Sequence, residues 1–230
     1  MNTAVITYRK SAIPPSRLSR YYPNTILFYT LFFLLYFSFS FAQQSTTDSL
    51  LLLLKTIKAD TTRVNTLNAI STQLWRTGNY DTAFNYAENA KQLANSLPFG
   101  KGRGWAKGIA NAYNNIGAIY DIQGNYSDAL KNYFASLKIW KDISLTLSDN
   151  KDTSSSIWRD AMIGIGAAHN NIGIVYRKQG NYPEALKNYF AALKRFGEIE
   201  DRQRIAASYN NIGNIYDSQG NYKEALKNHY

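Results

Sequence analysis

The chain has 230 residues, 45% hydrophobic and 18% charged, with 26 lysines and arginines against 16 acids and a formal charge of +10. It contains no cysteine, which excludes disulfides and thiolate chemistry and makes an oxidising compartment harmless. Four bases, Arg9, Lys10, Arg17 and Arg20, fall in the first 42 residues, which hold no acid. The remaining 22 bases face 16 acids, a mild excess of +6 that aids solubility but is no nucleic-acid footprint.

Residues 1–25 are basic and polar, and residues 26–41, ILFYTLFFLLYFSFSF, form an unbroken run of apolar, aromatic and small hydroxyl side chains. The run closes on Ser40-Phe41-Ala42, placing small residues at −3 and −1 of a cut after Ala42. A charged start, a short apolar core and a small-x-small end mark a secretory signal peptide, so residues 1–42 are expected to direct export to a periplasmic or extracellular location. At 16 residues the run is shorter than the ~20 that usually span a bilayer. An uncleaved anchor is the competing reading, and it would leave the chain attached to a membrane. Next, Thr47-Asp48 and Leu50 to Leu54 predict a short capping helix within residues 43–60. Asp60-Thr61-Thr62 predicts the N-cap of a helix running to about Thr77.

From there the sequence repeats itself. Residues 112–137 read AYNNIGAIYDIQGNYSDALKNYFASL, residues 168–193 AHNNIGIVYRKQGNYPEALKNYFAAL, and residues 206–230 AASYNNIGNIYDSQGNYKEALKNHY. A weaker copy comes first, at residues 67–90. Each copy is punctuated by Gly-Asn-Tyr at Gly78, Gly124, Gly180 and Gly220, where glycine suits the left-handed residue that ends a helix. The following asparagine caps a second helix, with Asp128, Glu184 and Glu224 three residues on, as in a capping box. Each unit is therefore predicted to be a helix, a tight turn and a second helix. The turn glycines fall 46, 56 and 40 residues apart. Forty is the base period, and Leu97–Gly104 and Ser148–Ser156 are read as inter-repeat loops that absorb the excess. The resulting segments are 61–97, 105–147, 156–200 and 201–230, the last stopping within its second helix. Because no polar capping element follows it, the chain is expected to be the front piece of a longer protein.

These copies resemble the tetratricopeptide repeat. Gly117, Gly173 and Gly213 match the family's small residue in the first helix, and Tyr120, Tyr176 and Tyr216 its aromatic one turn on. Ala129, Ala185 and Ala225 match the small residue of the second helix, and Tyr133 and Tyr189 its later aromatic. His229, Ser71 and Leu74 depart from the pattern. The resemblance implies an all-α solenoid of stacked antiparallel helix pairs and a non-catalytic role. In that role the concave groove binds a peptide or protein segment. The long period is similar to a variant found in bacterial signalling proteins. This raises the alternative of an extracytoplasmic sensor or input region of a membrane signalling enzyme, such as a histidine kinase. Apolar spacing supports the stacking independently, since one helix pair cannot bury its face alone.

Within this frame the first asparagine of each pair, Asn114, Asn170 and Asn210, is expected to look into the groove. Asp121, Arg177, Lys178, Asn214 and Asp217 lie on similarly directed positions. The second asparagine, Asn115, Asn171 or Asn211, is expected to tie adjacent helices together. Lys131, Lys138, Lys187, Lys194 and Lys227 form a basic row, read as a solvated convex face, with a site for an acidic partner or lipid headgroups as the alternative. No catalytic, cofactor or metal site is expected: His169 and His229 lack ligand-like companions, and Gly100–Gly104 lacks the phosphate-loop pattern. The expected partner is a protein or peptide, not nucleic acid. A membrane is expected as a partner only through an uncleaved N-terminal anchor or a downstream span.

Overall fold

A computed structural model of the chain describes residues 46–98, 105–149 and 155–229. The chain divides into units of residues 1–46 and 47–230. The expected signal segment lies outside the described residues, and the fold is that of the second unit. Among the described residues every regular element is an α-helix. Residues 46–56 form α1, followed by α2 (Thr61–Arg76), α3 (Tyr80–Ser96), α4 (Ala106–Ile122) and α5 (Tyr126–Asp149). Then come α6 (Ser156–Lys178), α7 (Tyr182–Glu198), α8 (Arg202–Ser218) and α9 (Tyr222–His229).

The same local chemistry makes each turn. Gly78, Gly124, Gly180 and Gly220 have φ between 71° and 88°, a conformation a side chain would strain. Around Gly124, its own N–H donates to the Asp121 carbonyl at 3.1 Å and the Asn125 N–H to the Tyr120 carbonyl at 2.9 Å. This is the paired closure of a Schellman motif. The Asn125, Asn181 and Asn221 carboxamides then accept from the backbone N–H groups of Asp128, Glu184 and Glu224. Asn79 makes no such cap bond; Thr82, not an acid, stands three residues on.

Four antiparallel pairs result: α2–α3, α4–α5, α6–α7 and α8–α9. Each helix from α2 onward packs on the next, and α4 also packs on α2 and α6. No comparable contact joins α3 to α5 or α5 to α7. Over the first three pairs the first helices thus form the tighter layer and the second helices the looser one, although no comparable contact joins α6 to α8. A stack of this kind curves with its first helices inside. α1 closes the front of the stack: the Arg63 guanidinium on α2 donates to the Leu54 and Ile57 carbonyls, at 2.9 and 3.1 Å.

Close packing within a pair depends on rings lying against bare backbone. A Cβ built on Gly117 would stand 2.8 Å from the Tyr133 ring, and one on Gly173 2.6 Å from the Tyr189 ring. In the first pair Ser71 replaces the glycine and Ala87 stands at the tyrosine position, both fully buried. Bulk is thus added on the first helix where it is removed from the second. Ala129, Ala185 and Ala225 are buried at the second-helix crossing, while Tyr120, Tyr176 and Tyr216 are partly buried against the core clusters.

One loop expectation needs correcting. Ser148 and Asp149 finish α5, and Ser156 begins α6. At 24 and 23 residues these two helices exceed the 17 of α3, α4, α7 and α8, so most of the longest spacing is helix. Ile143, Trp158 and Ile163 pack against the central core cluster, and that burial continues the helices past the basic unit. Residues 99–104 and 150–154 lie outside the described residues.

Candidate functional site

The inner layer carries a ladder of amides. Asn115 on α4 donates to the Asn68 carbonyl on α2 at 2.9 Å and accepts from the Thr72 hydroxyl at 3.0 Å. Asn68 returns a bond to the Gly108 carbonyl at 3.1 Å. One repeat further, Asn171 on α6 donates to the Asn114 carboxamide oxygen at 2.9 Å, and then Asn211 on α8 to that of Asn170 at 2.7 Å. The second asparagine of each pair therefore ties successive first helices together. The first asparagine is not given wholly to the groove, because Asn114 and Asn170 spend their oxygens on the next repeat.

A cavity of about 570 Å³ opens over this ladder, spanning α2, α4 and α6. Its walls include Asn65, Asn68, Thr72, Trp75 and Arg76 from α2, Asn111, Asn114, Ala118, Asp121 and Ile122 from α4, and Asn171 and Ile174 from α6. Tyr133 reaches it from α5. Asn111 and Asn114 also line a second hollow of about 180 Å³ between α4 and α6, edged by the Lys107–Asp160 ion pair. The two hollows therefore share walls along α4. Two polar atoms on the α2 wall are buried without a partner: the Asn68 carboxamide oxygen and the Trp75 indole N–H. The Arg76 guanidinium lies 5.5 Å from the Trp75 ring centroid.

Of the sequence-derived groove residues, Asn114 and Asp121 line the large cavity. Lys178 on α6 reaches back to Asp121, its ammonium 2.9 Å from both carboxylate oxygens. These two charges neutralise one another across the repeat boundary. Asn170 is half-buried, whereas Arg177, Asn210, Asn214 and Asp217 are exposed further along α6 and α8. Beneath this row lie two phenols. Burial, reinforced by the Asp121 carboxylate, pushes the Tyr133 phenol well above its ordinary value. Burial also raises that of Tyr189, with the Arg177 guanidinium pulling the other way. Both rings stay neutral and serve packing.

Sequence reasoning missed Asn65, Asn68, Trp75, Arg76 and Asn111. All but Asn111 belong to the divergent first copy, where Ser71 and Leu74 obscure the register. The available signal was the turn glycine: counting back ten residues from Gly78 reaches Asn68, as it reaches Asn114 from Gly124. His169 is structural, its Nδ1 2.9 Å from the Asn188 carboxamide oxygen. Burial lowers its pKa, as do Lys141 and Arg195, while the Asn188 bond opposes the shift. A further cavity of about 590 Å³, walled mainly by Ile109, Tyr113, Ile139, Ile143 and Leu147, lies outside the ladder beside the lengthened end of α5.

The family model described as tetratricopeptide repeat matches residues 62–142 and 164–229. No curated protein sequence matches the chain. Among solved structures it is similar to BtubC (BKLC) from P. vanneervenii, at 20% identity and a TM-score of 0.57, with 82% of this chain and 68% of that one covered. The apo form of RapI matches at 18% identity and a TM-score of 0.59, covering 80% of this chain and 59% of RapI. Aspartyl phosphate phosphatase F from Bacillus subtilis matches at 14% identity and 0.59, covering 75% and 40%. The chain thus spans less than two thirds of the last two proteins. At these identities the likeness is one of fold.

Proposed function

Because the chain belongs to the tetratricopeptide repeat family, we propose that it is a protein-interaction scaffold whose inner groove holds a segment of another polypeptide. The observation that carries this reading is the cavity over α2, α4 and α6, walled by five asparagines besides the buried Asn115. Carboxamides both donate and accept, which matches the alternating N–H and C=O of a peptide backbone. The cavity crosses three first helices, so it suits a chain better than a compact metabolite. Asp121 and Lys178 neutralise one another, leaving Arg76 as the charge on the cavity wall that no ion pair among the described residues offsets.

A random-peptide display selection on the whole protein tests the reading, followed by titration of the selected peptides against Asn65→Ala/Asn111→Ala. Neither residue belongs to the ladder, so folding is retained while two groove amides are lost. Each hydrogen bond contributes about 0.5–1.5 kcal/mol, so the double variant loses about 1–3 kcal/mol and is expected to weaken binding by roughly 30-fold. Peptides that bind the variant as tightly as the wild type would refute groove binding. The export reading remains part of the proposal and rests on the composition of residues 1–42; a native product whose mass retains those residues would argue against cleavage after Ala42.

A further inference from the structure

The outward faces of α5 and α7 carry the same exposed pattern. On α5 it is Lys131, Phe134 and Lys138, and on α7 Lys187, Phe190 and Lys194, each at i, i+3 and i+7. A solvated face does not call for aromatics, yet Phe134 is 46% exposed and Phe190 48%. The repeat does not need them either. Counted from the turn glycine, the same three positions on α3 are Asn85, Glu88 and Gln92. The helix pair forms there with a neutral-to-acidic outer row, so the lysine–phenylalanine row on α5 and α7 is separable from folding. It also carries charge that is not internally cancelled. Lys187 pairs with Glu184, whereas Lys131, Lys138 and Lys194 take part in no ion pair among the described residues. Lys141, exposed one turn beyond Lys138, extends the row on α5 beside the likewise exposed Asp142.

We propose that this outer row docks the protein on an anionic lipid surface, with Phe134 and Phe190 entering the headgroup boundary and the lysines meeting lipid phosphates. Basic side chains beside exposed aromatics are the chemistry such interfaces recruit. Lysine stems reach outward so that the ammonium stays among headgroups while the phenylalanine below enters the apolar boundary. Geometry favours a membrane over a polypeptide. The row stands on the outer layer of second helices, and none of the three cavities described above is walled by these residues. A bilayer needs no cavity. This surface is independent of the inner groove and of any N-terminal anchor.

The test is co-sedimentation of the full chain with vesicles of phosphatidylcholine, with and without phosphatidylglycerol. Binding is expected to the anionic vesicles, to fall with added salt, and to drop at least about tenfold in Lys131→Glu/Lys138→Glu/Lys194→Glu. The uncharged change Phe134→Ser/Phe190→Ser should weaken it too, with unchanged circular dichroism in both variants because every altered side chain is exposed. Equal binding to neutral vesicles would assign the effect to residues 26–41 and overturn the proposal. No vesicle binding, or binding indifferent to both variants, would also overturn it. So would loss of polyglutamate binding in the lysine variant with vesicle binding intact, which would assign the row to an acidic protein.

Discussion

Replacing Gly173 with alanine places a methyl group where the Tyr189 ring lies. The added Cβ would stand 2.6 and 2.7 Å from Cε1 and Cδ1 of that ring and 3.2 Å from the Ala185 carbonyl oxygen. Tyr189 is fully buried, so the ring has no solvent to swing into, and the carbonyl belongs to the α7 backbone. Overpacking of this kind costs about 1–3 kcal/mol. Alanine's better helix propensity returns about 1 kcal/mol, leaving a net loss of about 0–2 kcal/mol, centred near 1 kcal/mol. Urea unfolding followed by far-ultraviolet circular dichroism reads this as an earlier midpoint. An unchanged or later midpoint would refute the argument, because the ring would then have been free to slide. The first repeat supplies a sharper arm through its own solution, Ser71 opposite Ala87. Gly173→Ser and Tyr189→Ala should each destabilise, the second by about 3–5 kcal/mol as for other large aromatics. The double variant should lose less than their sum, with a coupling of about 0.5–3 kcal/mol. Strict additivity would show that the two positions do not share the space.

The amide ladder yields a second expectation: Asn171→Ala should lower stability by about 0.5–1.5 kcal/mol, while Asn65→Ala stays within about 0.5 kcal/mol, both read as urea midpoints. Lys178→Ala should cost at most about 1 kcal/mol, because the ammonium it removes is partly exposed and screened, and the loss should shrink with added salt. His169 has a folded pKa below its ordinary 6.5. Above that value its titration contributes nothing to the pH dependence. As pH falls through it, the unfolded chain takes up a proton that the folded one resists, so stability drops until the folded pKa is reached. His169→Gln should flatten that part of the stability–pH curve, and an unaltered slope would place the acid sensitivity elsewhere.

The helix pairs were legible in the sequence because their determinants are local and recur. Gly124 and Asn125 close one helix and cap the next through bonds spanning three to five residues, so the words Gly-Asn-Tyr carry the geometry with them. Gly117 and Tyr133 were readable for a related reason: a bare backbone and a ring sixteen residues apart are forced together by one turn. The groove was harder. That Asn114 gives its oxygen to Asn171, and Asp121 its charge to Lys178, depends on partners 57 residues away. Their meeting depends on how far each repeat rotates on the last, a quantity set by packing and absent from any single copy. The lengthening of α5 and α6 was hidden because a polar sequence such as Ser148-Asp149 has no apolar period of its own and only continues a helix whose Ile143 packs against the core. The exposure of Phe134 and Phe190 was equally invisible. In sequence they follow Tyr133 and Tyr189 directly, and only the packed helix decides that one ring of each neighbouring pair turns inward and the other outward.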